Sequence, residues 1–409
     1  LGWKEEIRLR YFNYLSREEE KSLFFSPPIS FNHSSDKELL AHAVGAALYM
    51  PATRPHIADD IISGKNEGLV TAVMDLEDAI GDKQVELAEE SLMQQLFLIA
   101  SYIKIGTLLE SEVPLLLIRV RSAAQLKRLL VRLADTITLI TGFVLPKFTQ
   151  ENGRDYFQQI ADYNENRAAS APVLYGLPIL ESSSVIYRES RLDSLLAIKA
   201  ILDDYHDYVL NVRVGATDFS SLFGLRRSPD MTIYEIAPIR DCIADIINVF
   251  GRVEAGYVIS GSVWEYFAKR ERVMKPQLRV TPFEEAFGST GHDLRSRFTK
   301  DPMDGLIREV IMDKENGIIG KTIIHPTHIK PVQALYAVTH EEYADATSIV
   351  ALNDGHHGVL KSQYANKMNE MKPHQNWARR ILLRSQVYGV LHEQQHFITL
   401  LQGNERAYV

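Results

Sequence analysis

Three observations predict a (β/α)8 barrel. Compact apolar runs alternate with longer amphipathic stretches, the runs number eight, and polar residues collect at their carboxyl ends. The expected strands are GAALYMP (45–51), LVTAVMDLED (69–78), PLLLIRVRS (114–122) and TGFVLPKF (141–148), then PVLYGLPILES (172–182), YVLNVRVGATDF (208–219), AGYVISG (255–261) and GKTIIHP (320–326). These runs are apolar at successive positions, as strands covered on both faces are. The stretches between them, such as SAAQLKRLLVRLADTI and SRLDSLLAIKAILDD, repeat apolar residues at three- and four-residue spacing and are expected to be helices. A doubly wound open sheet competes, but it usually has fewer strands and often a Gly-rich first turn, whereas the turn after the first run, PATRPH, has no glycine. The expected organisation is an N-terminal arm (1–44), the barrel (45–335) and a helical C-terminal extension (336–409). The stretch 262–319, which contains FGSTGHD, is expected to form helices and a mobile loop over one barrel end.

Composition narrows the function. The 409 residues are 45% hydrophobic and 24% charged, ordinary for a globular chain. A net charge of −8 argues against nucleic acid or an anionic membrane as partner. The single cysteine, Cys242, excludes an intrachain disulfide framework and fits a reducing cytoplasm. No apolar run approaches the roughly 18 residues of a membrane span. The opening LGWKEEIRLRYF has no signal-peptide core and, without an initiator Met, reads as a start lacking its first few residues.

The strand ends carry the chemistry. Strand two ends in Asp75, Glu77 and Asp78; strand three carries Arg119 and Arg121; Lys147, Glu181, Asp218 and His325 end strands four, five, six and eight. The opposite ends hold no such series, and barrels of this kind work at the carboxyl end. Glu181 and Asp218, on neighbouring strands, offer oxygen ligation with positions left for water and substrate, which suits Mg2+. Either acid alone reads more simply as a cap on the following helix.

In order and spacing, LYMPATRP, MDLEDAIGDK, LIRVRS, FVLPKF, PILES, VGATDF and GIIGKTIIHP resemble the citrate lyase beta subunit and the wider family of HpcH/HpaI aldolases, citrate lyases and malyl-CoA lyases. The resemblance spans about residues 46–345, and the C-terminal NKMNEMKPHQNWARRIL is similar to a C–C bond lyase branch associated with tellurite-resistance gene clusters. It implies a cytoplasmic, Mg2+-dependent carbon–carbon lyase acting through an enolate of a 2-oxo acid or acyl thioester, with a CoA thioester as one form of substrate. By the same resemblance Glu181 and Asp218 are the metal ligands, and Arg119 holds the substrate's oxyanion and carboxylate. Glu77 and Asp78 border the metal, and the amides of Ala216 and Thr217 after Gly215 receive a carboxylate. Lys147 and Arg121 complete the expected substrate-binding set, and a homo-oligomer (trimer or hexamer) is the implied assembly. The chain departs from the family pattern at four places. Glu181-Ser182-Ser183 stands where Glu-Thr-Ala is usual, Thr217 replaces an acid, Arg121 replaces an Asn, and His328 stands where Gln is frequent. Together these changes point away from citryl-CoA or malyl-CoA, toward a small anionic substrate richer in carboxylate or phosphate.

As general base, a water on the ion supported by Asp78 is the first choice and Glu77 the second. Thioester hydrolysis on the same site, or a non-catalytic metabolite-binding barrel serving as a partner subunit, are the competing readings. Four other stretches invite a function. HEQQH (392–396) matches a zinc-protease pattern but lacks the downstream ligand and is expected to be a surface or interface helix. GIIGKT (317–322) places its strand after the lysine, the reverse of a phosphate-binding loop. NDGHHGV (353–359) and RRSPD (226–230) are expected to be solvated turns.

Overall fold

The eight apolar runs form a closed barrel of eight parallel strands. In the computed structural model, which describes residues 9–402 apart from 170, 230, 268–287, 289–302 and 353–357, they are β1 (Ala46–Pro51), β2 (Thr71–Asp75), β3 (Leu115–Arg119), β4 (Ile140–Leu145), β5 (Tyr175–Leu180), β6 (Val212–Val214), β7 (Ile259–Trp264) and β8 (Lys321–Ile323). Each strand pairs with its chain neighbours, and β1 closes on β8 through Ala46–Leu48. The register sets Asp75, the last residue of β2, beside Arg119, the last of β3.

The covering helices follow from local sequence. Ser122 caps Ala123–Arg132 by accepting the Gln125 amide at 3.2 Å, and Leu126 and Leu129 face the barrel. Arg191–Asp204 buries Leu195, Ile198 and Leu202 at the spacing that predicts such a helix.

Several boundaries differ from expectation. Strand six was expected to run to 219, but β6 ends at Val214, and Ala216–Leu222 is a helix that carries Asp218 in its first turn. Strand seven was expected at 255–261; Gly256 at φ +67° ends a short turn there, and β7 continues to Trp264. The turn residues fall just ahead of β7, and its polar serines mask the apolar run. β2 and β3 stop at Asp75 and Arg119, so Glu77, Asp78 and Arg121 lie on the loops beyond. Residues 392–396 form a turn between Val390–Leu391 and the helix Phe397–Gln402, so His392 and His396 are not one helical turn apart on a common face. Residues 353–357 of NDGHHGV, and most of the expected loop between strands seven and eight, lie outside the described residues.

The amino-terminal end of the barrel is closed by segments from both termini. Phe24–Ser26 pairs antiparallel with Val390–Leu391. The Tyr11 and Tyr388 rings lie 4.3 Å apart, and their hydroxyls donate to the carbonyls of Ala43 and His42 at 2.9 Å. Beyond them Met371–Tyr388 packs on His340–Ala351 around Ile349, Ala378 and Ile381. Among the described residues no helix is long and apolar enough to cross a membrane.

On the outer side of β8, Lys321 is wholly buried and pairs with Glu309 and Asp313, each at 2.8 Å. Glu309 also pairs with Arg227, and Tyr234 donates to Asp313 at 2.6 Å. Arg227, expected on a solvated turn, is therefore a buried strut that also lies 4.5 Å from the Trp264 ring centroid. Sequence spacing gave no sign of this, because its charged partners Glu265 and Glu309 lie 38 and 82 residues away.

Candidate active site

The carboxyl ends of the strands surround a cavity of about 430 Å³. Strand alternation builds it in two tiers, since residues two apart face the same way. Pro51, Glu181, Gly215 and Ile324 form the outer tier; Tyr49, Ile179, Arg213 and Thr322 sit two residues deeper on the same strands or their extensions.

Asp75 organises the rim. Its Oδ1 and Oδ2 receive the Arg119 Nε and Nη2 at 2.7 and 2.6 Å, a bidentate fork. The same carboxylate accepts the amides of Glu77 at 2.9 Å and Ala79 at 3.3 Å, and so shapes the loop carrying Glu77 and Asp78. The third Arg119 nitrogen, Nη1, faces Glu77 at 3.1 Å and Asp78 at 3.4 Å. Burial alone would weaken the charged guanidinium, but Asp75 and the other acids hold its pKa above the ordinary arginine value. Lys147 is the second counter-charge: its ammonium pairs with Glu77 and reaches Asp78 at 3.3 Å and Asp218 at 3.8 Å. Crowded carboxylates at the end of an apolar strand thus meet two cations of the chain itself.

Glu181 is almost fully buried, and its Oε1 accepts the backbone N–H of Lys147 at 2.7 Å. Lys147 also holds a positive φ of 47°, unusual for a residue other than glycine. Gly215 leaves room on the other side: a Cβ there would lie 2.2 Å from Glu181 Oε2. Burial, and then the neighbouring charge of Asp218, push the Glu181 pKa up to about 8; burial also raises that of Asp218. Asp78 moves the other way: burial opposes its ionisation, but a hydrogen bond from Glu77, Arg119 and Lys147 outweigh it.

Two acids that resist joint ionisation fit a cation bound between them. Among the described residues no group of three His, Cys, Asp or Glu side chains is placed to hold a metal ion, so a cation at this point would take at most two carboxylates from the chain. That matches Mg2+, which keeps several water or substrate ligands.

Of the residues singled out from sequence, Asp78, Arg119, Glu181, Gly215, Thr217 and Asp218 line the cavity. Glu77 and Lys147 stand beside it, tied to those residues by ion pairs. Ala216 is buried in the first helical turn after Gly215, where backbone amides have no partner within the helix. Arg121 turns onto the acidic loop instead, donating to the Ile80 carbonyl at 3.2 Å and pairing with Asp82. His325 stacks on Phe267 at 4.7 Å and hydrogen-bonds Thr327 at 2.8 Å. Sequence reasoning missed Arg213 and Tyr49. The available signal was an arginine inside the apolar run VLNVRV, two residues before the glycine.

The chain belongs to the family of C–C bond lyases of the TIM-barrel fold, whose model matches residues 38–390. Among solved structures it is similar to the protein CitE of Mycobacterium tuberculosis in complex with magnesium, acetoacetate and coenzyme A, at 17% identity and a TM-score of 0.50, covering 84% of this chain and 99% of that one. A citrate lyase from Burkholderia xenovorans aligns at 15% identity and a TM-score of 0.52, covering 86% and 94%. A search of curated proteins finds no match.

Proposed function

We propose that this chain is a Mg2+-dependent carbon–carbon lyase that cleaves, or in reverse forms, a bond next to a carbonyl of a small anionic acid. The observation that carries the reading is the placement of Glu181 and Asp218 together in one cavity with Arg119. A relative at 17% identity that binds magnesium with acetoacetate supports it.

Glu181 and Asp218 would hold the ion, which when bound supplies Lewis-acid polarisation of a carbonyl oxygen. The chain's own groups do the rest. Asp78 lies on the cavity wall, where Glu77, Arg119 and Lys147 favour its carboxylate form, and from there it can take the proton from a substrate hydroxyl. The oxygen's electron pair then forms a new carbonyl, the adjacent C–C bond breaks, and its electrons pass into an enolate. Arg119 stabilises that developing charge through Nη1, whose contacts at 3.1 and 3.4 Å are longer than the locked fork on Asp75. The fork fixes the plane of the guanidinium, so little reorganisation is needed as charge appears. Lys147 offsets the acids around it and limits the repulsion an anionic substrate meets.

Calorimetric titration of Mg2+ into the wild type, Glu181→Gln and Asp218→Asn tests the reading, together with assays for pyruvate, oxaloacetate or acyl-CoA release. Weakened Mg2+ binding in both variants with the fold retained is the expected result. Unchanged affinity in both would refute the assignment.

A further inference from the structure

The inner tier of the cavity contains a cation that the proposed lyase chemistry does not use. Arg213 lies in the middle of β6 with 1% of its surface exposed, and it lines the same cavity as Glu181, Asp218 and Arg119. Its Nη2 donates to Thr322 Oγ1 at 2.7 Å, while Nε and Nη1 have no hydrogen-bond partner. Among the described residues Arg213 makes no ion pair, whereas Asp75, Asp78, Arg119 and Asp218, which line the same cavity, each make one. Tyr49 offers only its ring face, 5.8 Å from the guanidinium carbon, and its own hydroxyl is buried without a partner.

A guanidinium stays charged in a protein, so burial cannot be relieved by losing a proton. Removing such a charge from water without an opposite charge is costly, and an anion bound beside the two open nitrogens would supply the missing charge. Position says which part of a ligand arrives. Arg213 sits two residues below Gly215 on one strand, roughly 6–7 Å deeper than the tier holding Glu181. A ligand held at the outer tier by its 2-oxo-acid end and extending inward along the cavity brings its far end to Arg213.

We propose that Arg213, steadied by Thr322 and Tyr49, is a specificity-determining residue that selects substrates carrying a second anionic group, carboxylate or phosphate, at the inner end of the cavity. This rests on the lyase reading for the outer tier and adds the substrate class. Each Arg213 nitrogen left unpaired is a donor suited to such an oxygen, and a neutral or methyl-ended substrate leaves both unsatisfied.

The test is calorimetric titration of the Mg2+-loaded protein with pyruvate, oxaloacetate and phosphonopyruvate, on the wild type and on Arg213→Met, with thermal unfolding to check the fold. In the wild type at least one dianion should bind about tenfold or more tightly than pyruvate, and Arg213→Met should lose that advantage while pyruvate binding shifts by less than about threefold. Which dianion gains most separates carboxylate from phosphate. An advantage retained in Arg213→Met, or equal weakening of all ligands, overturns the proposal. If Arg213→Met does not fold, Thr322→Val, which removes only the anchoring hydroxyl, should reduce the same advantage; an unchanged advantage again overturns it. A wild type that takes up neither Mg2+ nor pyruvate sinks the lyase reading separately. Metal-free titration with malonate then decides for Arg213: binding weakened in Arg213→Met upholds the inner anion site, and binding unchanged overturns it.

Discussion

Two buried cations on neighbouring parts of one barrel have opposite surroundings. Lys321, on β8, has no exposed surface and touches two carboxylates, which are themselves held by Arg227 and Tyr234. Arg213, on β6 and almost as buried, has a hydroxyl and an aromatic ring. Lys321 points outward, against the helix Met303–Glu315, and its charge is balanced by residues that fold with it. Arg213 faces the cavity, and the chain leaves two of its donors open. A compensated buried charge holds a fold together; an uncompensated one beside a cavity waits for a ligand.

The largest expected effect breaks the first half of this comparison. Lys321→Met removes the shared partner of Glu309 and Asp313 and should lower stability by about 3 kcal/mol or more. Arg213→Met, which removes a charge without orphaning a partner carboxylate, should change stability by no more than about 1 kcal/mol, in either direction. Urea unfolding of both variants measures the difference, and equal losses would show that Arg213 is as structural as Lys321.

How legible each was in sequence follows from the same physics. The barrel was readable because most of its strands are covered on both faces, so their runs are apolar and their ends carry polar residues. Asp75, Glu181 and Asp218 were readable as strand-end acids, although Asp218 turned out to belong to the following helix. The Lys321 network was not, because Glu309 and Arg227 meet only through tertiary packing. Nor was the division of labour between Arg119 and Arg121. Strand alternation predicts opposite faces, but β3 ends at Arg119, and the loop beyond decides where Arg121 goes.

The second effect sharpens the contrast between Arg119 and Arg213. Arg119→Lys keeps a charge but loses the fork on Asp75, and should cut turnover roughly a hundredfold, as loss of an oxyanion donor does. Mg2+ affinity should stay within about twofold, since Arg119 is not read as a ligand. Steady-state kinetics on an identified substrate decides this; near-normal turnover would move the oxyanion contact elsewhere in the cavity.

A third, smaller effect concerns the outer tier alone. Gly215→Ala places a methyl group 2.2 Å from Glu181 Oε2 and 2.4 Å from Glu181 Cβ, so the whole Glu181 side chain and its backbone must shift. Mg2+ affinity should fall about tenfold, the cost typical of disturbing what orients a metal ligand, and stability should fall with it. Calorimetry on folded Gly215→Ala showing wild-type affinity would mean that Glu181 can move freely, or that it does not bind the ion.

The smallest effect separates a residue that touches substrate from one that shapes the loop beside it. Arg121 donates to the Ile80 carbonyl and pairs with Asp82, and that acid is nearly fully exposed. Exposed pairs of this kind are worth about 1 kcal/mol or less, so breaking one should cost no more than about fivefold in rate. Arg121→Gln loosens the loop between Asp75 and Asp82, which carries Asp78 into the cavity. Turnover should therefore fall a little while KM barely moves. Asp82→Asn should reproduce that pattern, because it releases the same loop from its other end and lies outside the cavity lining. If Arg121 instead swings in to grip an anionic substrate, its loss raises KM strongly and Asp82→Asn leaves KM unchanged or lowers it. Paired kinetics on the two variants therefore distinguish a loop brace from a binding residue, even though each single change is small.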